Sequence, residues 1–296
     1  MRLSALPDAG SFLREAQFDL EQDEAAHSMI LGVALDAQRE PPPENGFYSG
    51  VVRTRSGWLA TAAVMTPPHP VILTETESLD ALSLIAADLA ASGRPVSGVL
   101  ACPETAETFS DLWRSQTGQN ADRAFQMTLY SAEYVKRTSS SPGWLRCAAE
   151  EDRDLVAEWI AAFQLEIFHD DISRKVDEIA RRRITNSELY LWDDRGARAM
   201  AGVTRPTRQG ISVNAVYTPP TWRGRGYATT CVSALTEQLL AGGRSFCTLF
   251  ADLANPASNA IYTKIGYRPL AEFSHFRFDG PVSVDAITSG LSRSSP

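Results

Sequence analysis

Apolar and polar positions along the chain predict strands and helices in alternation. In the C-terminal half, short apolar runs alternate with longer stretches in which apolar residues recur every three or four positions. After residue 143 the predicted order is β-α-α-β-β-β-α-β-α-β. This order predicts a mixed α/β fold with a central twisted sheet flanked by helices.

The N-terminal half predicts a similar order, beginning with one long helical stretch over residues 12–39. Two local matches join the halves: residues 89–94, LAASGR, resemble residues 239–244, LLAGGR, and Gly118 falls where Gly266 falls, roughly 150 residues later. The matches favour a duplicated domain, although any two α/β domains share part of this pattern. Residues 136–143, KRTSSSPG, are typical of a linker. The predicted domains are therefore 1–135 and 144–296.

Composition narrows the range of partners. The net charge of −8 argues against nucleic-acid binding, in which neutralised phosphates supply most of the affinity. No apolar run approaches the roughly 18 residues of a membrane span, and the first residues lack the apolar core of a secretory signal. We expect a cytoplasmic protein, monomeric or homodimeric, that binds neither membranes nor nucleic acid. The dispersed Cys and His residues predict no metal site.

The segment richest in chemistry runs from residue 216 to residue 229, VYTPPTWRGRGYAT. A strand ends there, a turn rich in Gly and Arg follows, and a helix begins at once. Free N–H groups and a partial positive charge make a helix start an anion site. Gly224 and Gly226 would let a phosphate approach the backbone, and Arg223 and Arg225 add charge beside it. The pattern predicts a site for a diphosphate.

Two common phosphate motifs do not fit this turn. No Gly-Lys-Ser or Gly-Lys-Thr follows it, which excludes a P-loop, and the three-glycine spacing of a dinucleotide site is absent. Residues 223–228, RGRGYA, resemble the pyrophosphate motif of the GNAT superfamily of acyl-CoA-dependent N-acetyltransferases. Residues 252–267, DLANPASNAIYTKIGY, resemble that family's other motif, in which an Asn follows a strand, a helix carries Ala and Tyr, and a Gly-aromatic pair ends the segment. The resemblance covers about residues 144–278.

The resemblance implies roles for individual residues. The backbone of 216–218 would pair with the pantetheine arm and polarise the thioester, and 223–229 would hold the diphosphate. Asn255 would contact pantetheine or, alternatively, cap a helix. Tyr262 would protonate the leaving thiolate or, alternatively, pack in the core. The implied cofactor-binding residues are Val216, Tyr217, Thr218, Arg223, Gly224, Arg225, Gly226, Tyr227, Ala228, Thr229, Asn255 and Asn259, and the implied catalytic residue is Tyr262.

The general base is not identified by the pattern. The strand at 211–217, ISVNAVY, carries no acid, whereas many GNAT enzymes place a glutamate there. The segment between the first two helices of this half borders the acceptor site in GNAT enzymes, and its candidates are Glu166, His169, Asp170 and Asp171. His275 is another candidate, and each of these residues is alternatively a solvated surface residue. The run at 181–183, RRR, is expected to be a solvated helix end.

The first half is expected to keep the scaffold without the cofactor. Its equivalent turn, residues 74–78, TETES, has no Gly or Arg and carries two carboxylates that would repel a diphosphate. The predicted protein is thus an N-acetyltransferase that moves an acetyl group from acetyl-CoA, its cosubstrate, to a small-molecule primary amine in a ternary complex. The alternative is a non-catalytic sensor of acyl-CoA.

Overall fold

The computed structural model describes residues 1–43, 46–136, 141–168 and 175–279. In the first part of the chain, helices and strands alternate in this order: β1 Arg2–Leu6, α1 Ala9–Leu20, α2 Ser28–Arg39, β2 Tyr48–Arg53, β3 Leu59–Met65, β4 Val71–Leu73, α3 Leu79–Ala91, β5 Gly98–Ala101, α4 Pro103–Thr117 and β6 Ala121–Ala132. The second part follows with β7 Trp144–Cys147, α5 Arg153–Phe168, α6 Val176–Thr185, β8 Leu189–Asp193, β9 Ala197–Thr204, β10 Gly210–Tyr217, α7 Tyr227–Ala241, β11 Phe246–Asp252, α8 Pro256–Ile265 and β12 Arg268–Phe278.

The chain forms two compact units that do not follow a single cut in the sequence. Among the described residues, the first contains Met1–Leu129, Asp252–Ala254 and those from Leu270 to Asp279, and the second contains those of Tyr130–Ala251 and Asn255–Pro269. Each unit therefore contains residues from both sides of the predicted linker, so the boundary between the units does not lie at 136–143 alone. None of the helices in the described ranges is long and apolar enough to cross a membrane.

The first unit is a mixed sheet with strand order β1-β2-β3-β4-β5-β12-β6. The strands β1 to β4 pair antiparallel with their neighbours, and β4 and β5 are parallel. The last strand, β12, pairs antiparallel with β5, with Ser274 opposite Ala101. A strand from the end of the chain thus completes the sheet of the first unit.

Helix α3 shows how the first unit builds its core. Its apolar residues Leu82, Ile85 and Leu89 recur every three or four positions and are all at most 1% exposed. They pack in one cluster with Val99 of β5 and with aromatic rings of α4 and β12. The rings of Trp113 and Phe278 stack at 5.4 Å between centroids. The helical period therefore determines which face of α3 is buried.

The second unit is also a mixed sheet, with strand order β11-β10-β9-β8-β7 and the end of β6 beside β11. Alternate residues of β9 face opposite sides, as expected of a strand. Ala199 and Ala201 pack in a cluster with α7 and α8, whereas Met200 packs in another with α5 and α6. Helices therefore cover both faces of this sheet.

Two predictions about local structure are wrong. The helical stretch predicted over 12–39 is two helices, because α1 ends at Leu20 and a 3-10 turn, Glu21–Asp23, separates it from α2. The run at 181–183 is not uniformly solvated, because Arg183 is only 8% exposed. Its guanidinium donates to Asn214 Oδ1 at 2.8 Å and to the Val203 carbonyl at 3.2 Å. Burial lowers the pKa of Arg183 to about 10.

Candidate active site

Strands β10 and β11 separate at one end of the second unit. They pair in parallel only where Gly210–Ser212 lies opposite Phe246–Thr248. Both strands continue, to Tyr217 and Asp252, with no further pairing between them in the described chain. Unpaired backbone groups on adjacent strands need another partner. The gap is therefore a slot that an extended, hydrogen-bonding ligand can enter.

A bulge in β10 lies beside this slot. The pairing with β9 passes from Asn214–Gly202 to Tyr217–Met200, so β10 has one residue more than β9 over this step. Ala215 adopts a φ of 48°, a conformation that non-glycine residues rarely take. The extra residue leaves both Ala215 and Tyr217 against the α5 and α6 side, while Val216 packs towards α7. Because Val213 packs on the α7 side, the bulge reverses which face of the sheet the odd-numbered residues of β10 occupy.

The turn between β10 and α7 has the backbone conformation that its glycines allow. A 3-10 turn, Pro220–Trp222, leads to Arg223, and Gly224 and Gly226 then have φ values of 75° and 80°. A Cβ at Gly224 would meet nothing within 4 Å, and all of residues 223–226 are exposed. The turn therefore presents open backbone to the solvent.

The backbone N–H groups of this turn are available to a ligand. Helix α7 begins at Tyr227 with Gly226 as its N-cap, which has no side chain to accept from the first turn. The first helical bond runs from Thr230 N–H to the Gly226 carbonyl. Within the described residues, no N–H group from 224 to 229 donates a hydrogen bond. Converging free N–H groups at a helix start favour an anion.

Ser141 holds this turn in place through two hydrogen bonds, and no sequence pattern indicated this role. Its hydroxyl donates to the Arg225 carbonyl at 2.8 Å, and its N–H donates to Thr230 Oγ1 at 3.0 Å. A Cβ on Gly226 would come within 3.0 Å of the Ser141 hydroxyl oxygen. Both the positive φ and this close approach therefore require glycine at 226.

Arg223 is held by protein groups at the entrance to the turn. Its Nε donates to the Thr218 carbonyl at 2.9 Å, and its Nη2 contacts Glu166 Oε2 of α5 at 2.6 Å. Glu166 raises the pKa of Arg223, and burial raises the pKa of the nearby Tyr217 hydroxyl. Thr218 Oγ1 is buried and has no hydrogen-bond partner within the described residues. Arg223 therefore stabilises the turn through Thr218. An anionic ligand that binds Arg223 Nη2 would have to replace the Glu166 carboxylate.

The first turn of α7 is anchored by its aromatic residue. Tyr227 is 7% exposed and donates its hydroxyl proton to Asp194 Oδ2 at 2.7 Å. Thr229 is also buried, and Ala228, which lies between Tyr227 and Thr229 in the sequence, is half-buried. These side chains pack into the unit, and the N–H groups of 227–229 donate to no group of the described chain.

The start of α8 uses its two asparagines to hold the backbone. Asn255 Oδ1 accepts from the Ser258 N–H at 3.1 Å, which makes Asn255 the N-cap ahead of Pro256. Asn259 donates from Nδ2 to the Asn255 carbonyl at 3.0 Å and accepts from the Tyr130 hydroxyl at 3.1 Å. The capping alternative for Asn255 is thus observed, and a pantetheine contact for either asparagine stays a prediction.

Tyr262 of α8 lies among aromatic rings with its hydroxyl unused. It is 8% exposed, and its ring is 6.2 Å from that of Tyr130 and 6.1 Å from that of Tyr267. The described residues offer its hydroxyl no hydrogen-bond partner. Burial raises the pKa of this phenol to about 12, so it keeps its proton throughout the neutral range. It can donate a proton to an anionic leaving group.

Comparison with known proteins finds one family model that matches part of the chain and solved structures with a similar fold. Residues 191–275 match the model of a family described as FR47-like protein. A GNAT-family acetyltransferase from Colwellia psychrerythraea shares 12% identity at a TM-score of 0.55, over 94% of this chain and 100% of that chain. A GCN5-related N-acetyltransferase from Sphaerobacter thermophilus shares 13% at 0.60, over 93% and 95%. A tandem GNAT protein from the clavulanic acid biosynthesis pathway shares 15% at 0.54, over 95% and 100%. No curated protein matches this chain.

The chain has the tandem GNAT fold. This confirms the predicted fold class, the duplication and the resemblance drawn from residues 223–228 and 252–267. The match at 191–275 includes the slot, the turn and α8, whereas Ser141 and Glu166 lie outside it.

The first copy of the GNAT fold has a different turn at the equivalent place. Its helix α3 begins after Ser78, whose hydroxyl oxygen accepts from the Ala81 N–H at 3.2 Å. Thr76 Oγ1 accepts from the Ser78 N–H at 3.2 Å, and Thr105 Oγ1 accepts from the Thr76 N–H at 3.1 Å. Side chains of the first unit therefore occupy N–H groups that are open in the second.

Two of the candidates for a general base lie in the described residues, and they belong to different units. Glu166 pairs with Arg223 in the second unit, whereas His275 lies on β12 in the first unit, opposite Leu100. Burial lowers the pKa of His275 to about 4, so its ring is neutral at pH 7, and its Nδ1 is buried without a partner in the described chain. The other candidates, His169, Asp170 and Asp171, lie outside the described residues. Over those residues, no group of His, Cys, Asp and Glu has the arrangement of a metal site.

Proposed function

We propose that the second unit binds acetyl-CoA and transfers its acetyl group to the primary amine of a small molecule. The observation that carries this proposal is the set of unused N–H groups at 224–229, placed where β10 and β11 separate. A diphosphate would accept hydrogen bonds from the N–H groups of 224–229. An extended chain with amide groups would pair with the strands where β10 and β11 separate. Coenzyme A has both parts, joined in that order.

The residues present fit this cosubstrate. Gly224 and Gly226 leave room for phosphate oxygens against the backbone. A Cβ at 226 would reduce that space. The N–H groups of 224–229 would hold the diphosphate, with the Arg225 guanidinium beside them, and the backbone of 216–218 would pair with the pantetheine arm. Each hydrogen bond to a charged oxygen contributes about 1.5–3 kcal/mol. Bound coenzyme supplies the thioester, which is the activated acyl group of the reaction.

The transfer is a direct attack of the amine on the thioester carbonyl. A C–N bond forms, the C–S bond breaks, the nitrogen loses one proton and the sulfur gains one. A backbone N–H near Val216 would stabilise the negative charge on the carbonyl oxygen, and the Tyr262 hydroxyl would donate to the departing sulfur. Positioning both reactants in one complex supplies much of the rate.

The amine has to lose its proton before it attacks. An amine of pKa about 10.4 is mostly protonated at pH 7, and freeing its lone pair costs roughly 4–5 kcal/mol. Strand β10 carries Asn214 where an acid would serve, and this side chain is bound to Arg183. We propose that the neutral fraction of the amine reacts, so kcat/KM should rise with pH towards the pKa of the amine.

The proposal is tested by thiol release from acetyl-CoA over a panel of primary amines. The expected result is release with at least one amine, together with a product whose mass has gained one acetyl group. Tyr262→Phe should lower kcat on that amine. Absence of CoA binding by the full chain would contradict the proposal.

A sensor that binds acyl-CoA without turnover is the second candidate. The absence of an acid on the described strand β10 favours it. The same amine panel separates the two functions, because a sensor would bind CoA measurably and release no thiol with any amine.

A further inference from the structure

Two arginines lie over the ring of one tryptophan beside the phosphate turn. The Arg198 guanidinium carbon is 3.9 Å from the centroid of Trp222, and that of Arg225 is 4.9 Å from the same centroid. Trp222 in turn contacts Tyr227 edge to face at 6.3 Å. The two cations therefore come from different elements, β9 and the turn, and are held by a single aromatic ring.

Over the described residues, neither of these two cations has the carboxylate partner that Arg146 and Arg223 have. Arg146 contacts Asp152 at 2.6 Å, and Arg223 contacts Glu166 at the same distance. Arg198 and Arg225 have no carboxylate within salt-bridge distance among the described residues. The nearby acid, Asp194, accepts the hydroxyl of Tyr227.

The hydrogen-bonding groups of Arg198 are only partly used. Its Nη2 donates to the Arg195 carbonyl at 3.2 Å, and its Nε is buried with no partner in the described chain. Stacking on a ring occupies the face of a guanidinium and leaves its N–H donors in the plane. Both cations lie over the same ring, so together they place positive charge on one small area that attracts an anion. The cluster of Arg198, Trp222 and Arg225 is therefore arranged for an anion of its own.

We propose that this cluster binds the 3′-phosphate on the ribose of coenzyme A. The inference rests on the proposed function, since it assigns a second part of the same ligand. The N–H groups at 224–229 account for the diphosphate, and the 3′-phosphate is the remaining anion of the molecule. It carries close to two negative charges at neutral pH. Arg225 belongs to the phosphate turn, so the cluster adjoins the diphosphate site.

The test compares coenzyme A with dephospho-CoA, which lacks only the 3′-phosphate, by calorimetry on the full chain at fixed ionic strength. The wild-type chain should bind coenzyme A about 10-fold more tightly. Arg198→Gln should reduce that ratio to about 2-fold, because it removes one of two cations, and should leave the affinity for dephospho-CoA unchanged. Unchanged dephospho-CoA binding also shows that the variant is folded. Arg181→Gln, an exposed arginine on α6, is the matched control and should keep the full ratio.

Other outcomes overturn the inference in distinguishable ways. Equal affinity of the wild-type chain for both ligands would remove the 3′-phosphate site and leave the proposed function standing. An equal loss of both ligands in Arg198→Gln would assign the cluster to the diphosphate instead. If neither ligand binds the wild-type chain, the proposed function and this inference fail together.

Discussion

Helix α3 of the first unit and helix α7 of the second each begin a few residues after a strand, β4 or β10, yet their first turns differ. In α3, Ser78 accepts from the Ala81 N–H, and Thr76 and Thr105 accept from two further N–H groups. In α7 the cap is Gly226, and the N–H groups of 224–229 have no acceptor in the described chain.

The two turns also differ in charge. Residues 74–78 include Glu75 and Glu77, whereas residues 223–226 include Arg223 and Arg225. A helix start whose N–H groups are satisfied by its own side chains stabilises the fold. One left open, with cations beside it, is free to bind an anion. The comparison predicts that one chain binds one coenzyme A, and that it does so in the second unit.

The largest expected effect comes from closing the open turn. Gly226→Val puts a branched side chain at a φ of 80° and within reach of the Ser141 hydroxyl. We expect a loss of CoA affinity of about 100-fold or more, because several charge-assisted hydrogen bonds are removed together. Calorimetry with CoA measures the loss.

Gly243→Val is the matched control for this substitution. Gly243 follows the other end of α7, has a φ of 99° and has nothing within 4 Å of a Cβ. It should cost comparable backbone strain and keep wild-type CoA affinity. A normal affinity in Gly226→Val would remove the phosphate-turn assignment.

The second effect concerns the hydroxyl that α8 has and α4 lacks. The seventh residue after the cap is Tyr262 in α8 and Phe109 in α4, and both rings are buried. Tyr262→Phe should lower kcat by about 10–100-fold with little change in KM, because the phenol acts on the leaving sulfur only in the transition state. Steady-state thiol release measures both constants.

The pH profile sharpens this second prediction. Burial raises the pKa of Tyr262 to about 12, and the protonated phenol is the active form. Activity should therefore show no loss from phenol ionisation below about pH 11. If Tyr262→Phe has the same kcat as the wild-type chain, the hydroxyl has no catalytic role and Tyr262 only packs in the core.

The third effect is on stability and distinguishes the start of α3, whose N–H groups are bonded to side chains, from the open start of α7. Ser78→Ala removes the cap of α3 and should lower the free energy of unfolding by about 1 kcal/mol, with CoA binding unchanged. Ser115→Ala, at an exposed position of α4, should leave both quantities unchanged. Urea denaturation measures the difference. A loss of CoA affinity in Ser78→Ala would argue that the first unit also binds the coenzyme.

The smallest effect concerns the carboxylate that pairs with Arg223. Glu166→Gln removes a half-exposed ion pair at 2.6 Å and frees the guanidinium for phosphate. CoA affinity should rise about 2- to 5-fold, as expected for a partly solvated pair. Glu151→Gln, an exposed acid before α5, should have no effect. Weaker CoA binding in Glu166→Gln would show that the pair supports the turn instead of competing for it.

The sequence predicted much of this fold because local patterns determine it. The spacing of Leu82, Ile85 and Leu89 marks the buried face of α3, and the glycines at 224 and 226 mark the turn before α7. The two halves were visible as a repeated order of elements. These features depend on residues close together in the chain.

The features that the sequence did not predict depend on distant partners. The pairing of β12 with β5 joins residues more than 150 positions apart, and no local pattern specifies it. Arg183 follows two exposed arginines but lies on the same helix face as the buried Ala180, three positions earlier. That spacing indicates burial, whereas the run of basic residues favoured a solvated helix end. Ser141 reaches the turn from the end of a polar segment.

A crystal structure of the full chain with bound coenzyme A tests the central claim most directly. The full chain is needed because a fragment ending at residue 135 would lack β12, which completes the sheet of the first unit. The account predicts one coenzyme per chain, with diphosphate oxygens accepting from the N–H groups of residues 224–229. A diphosphate bound at residues 74–78, or away from the start of α7, would contradict it.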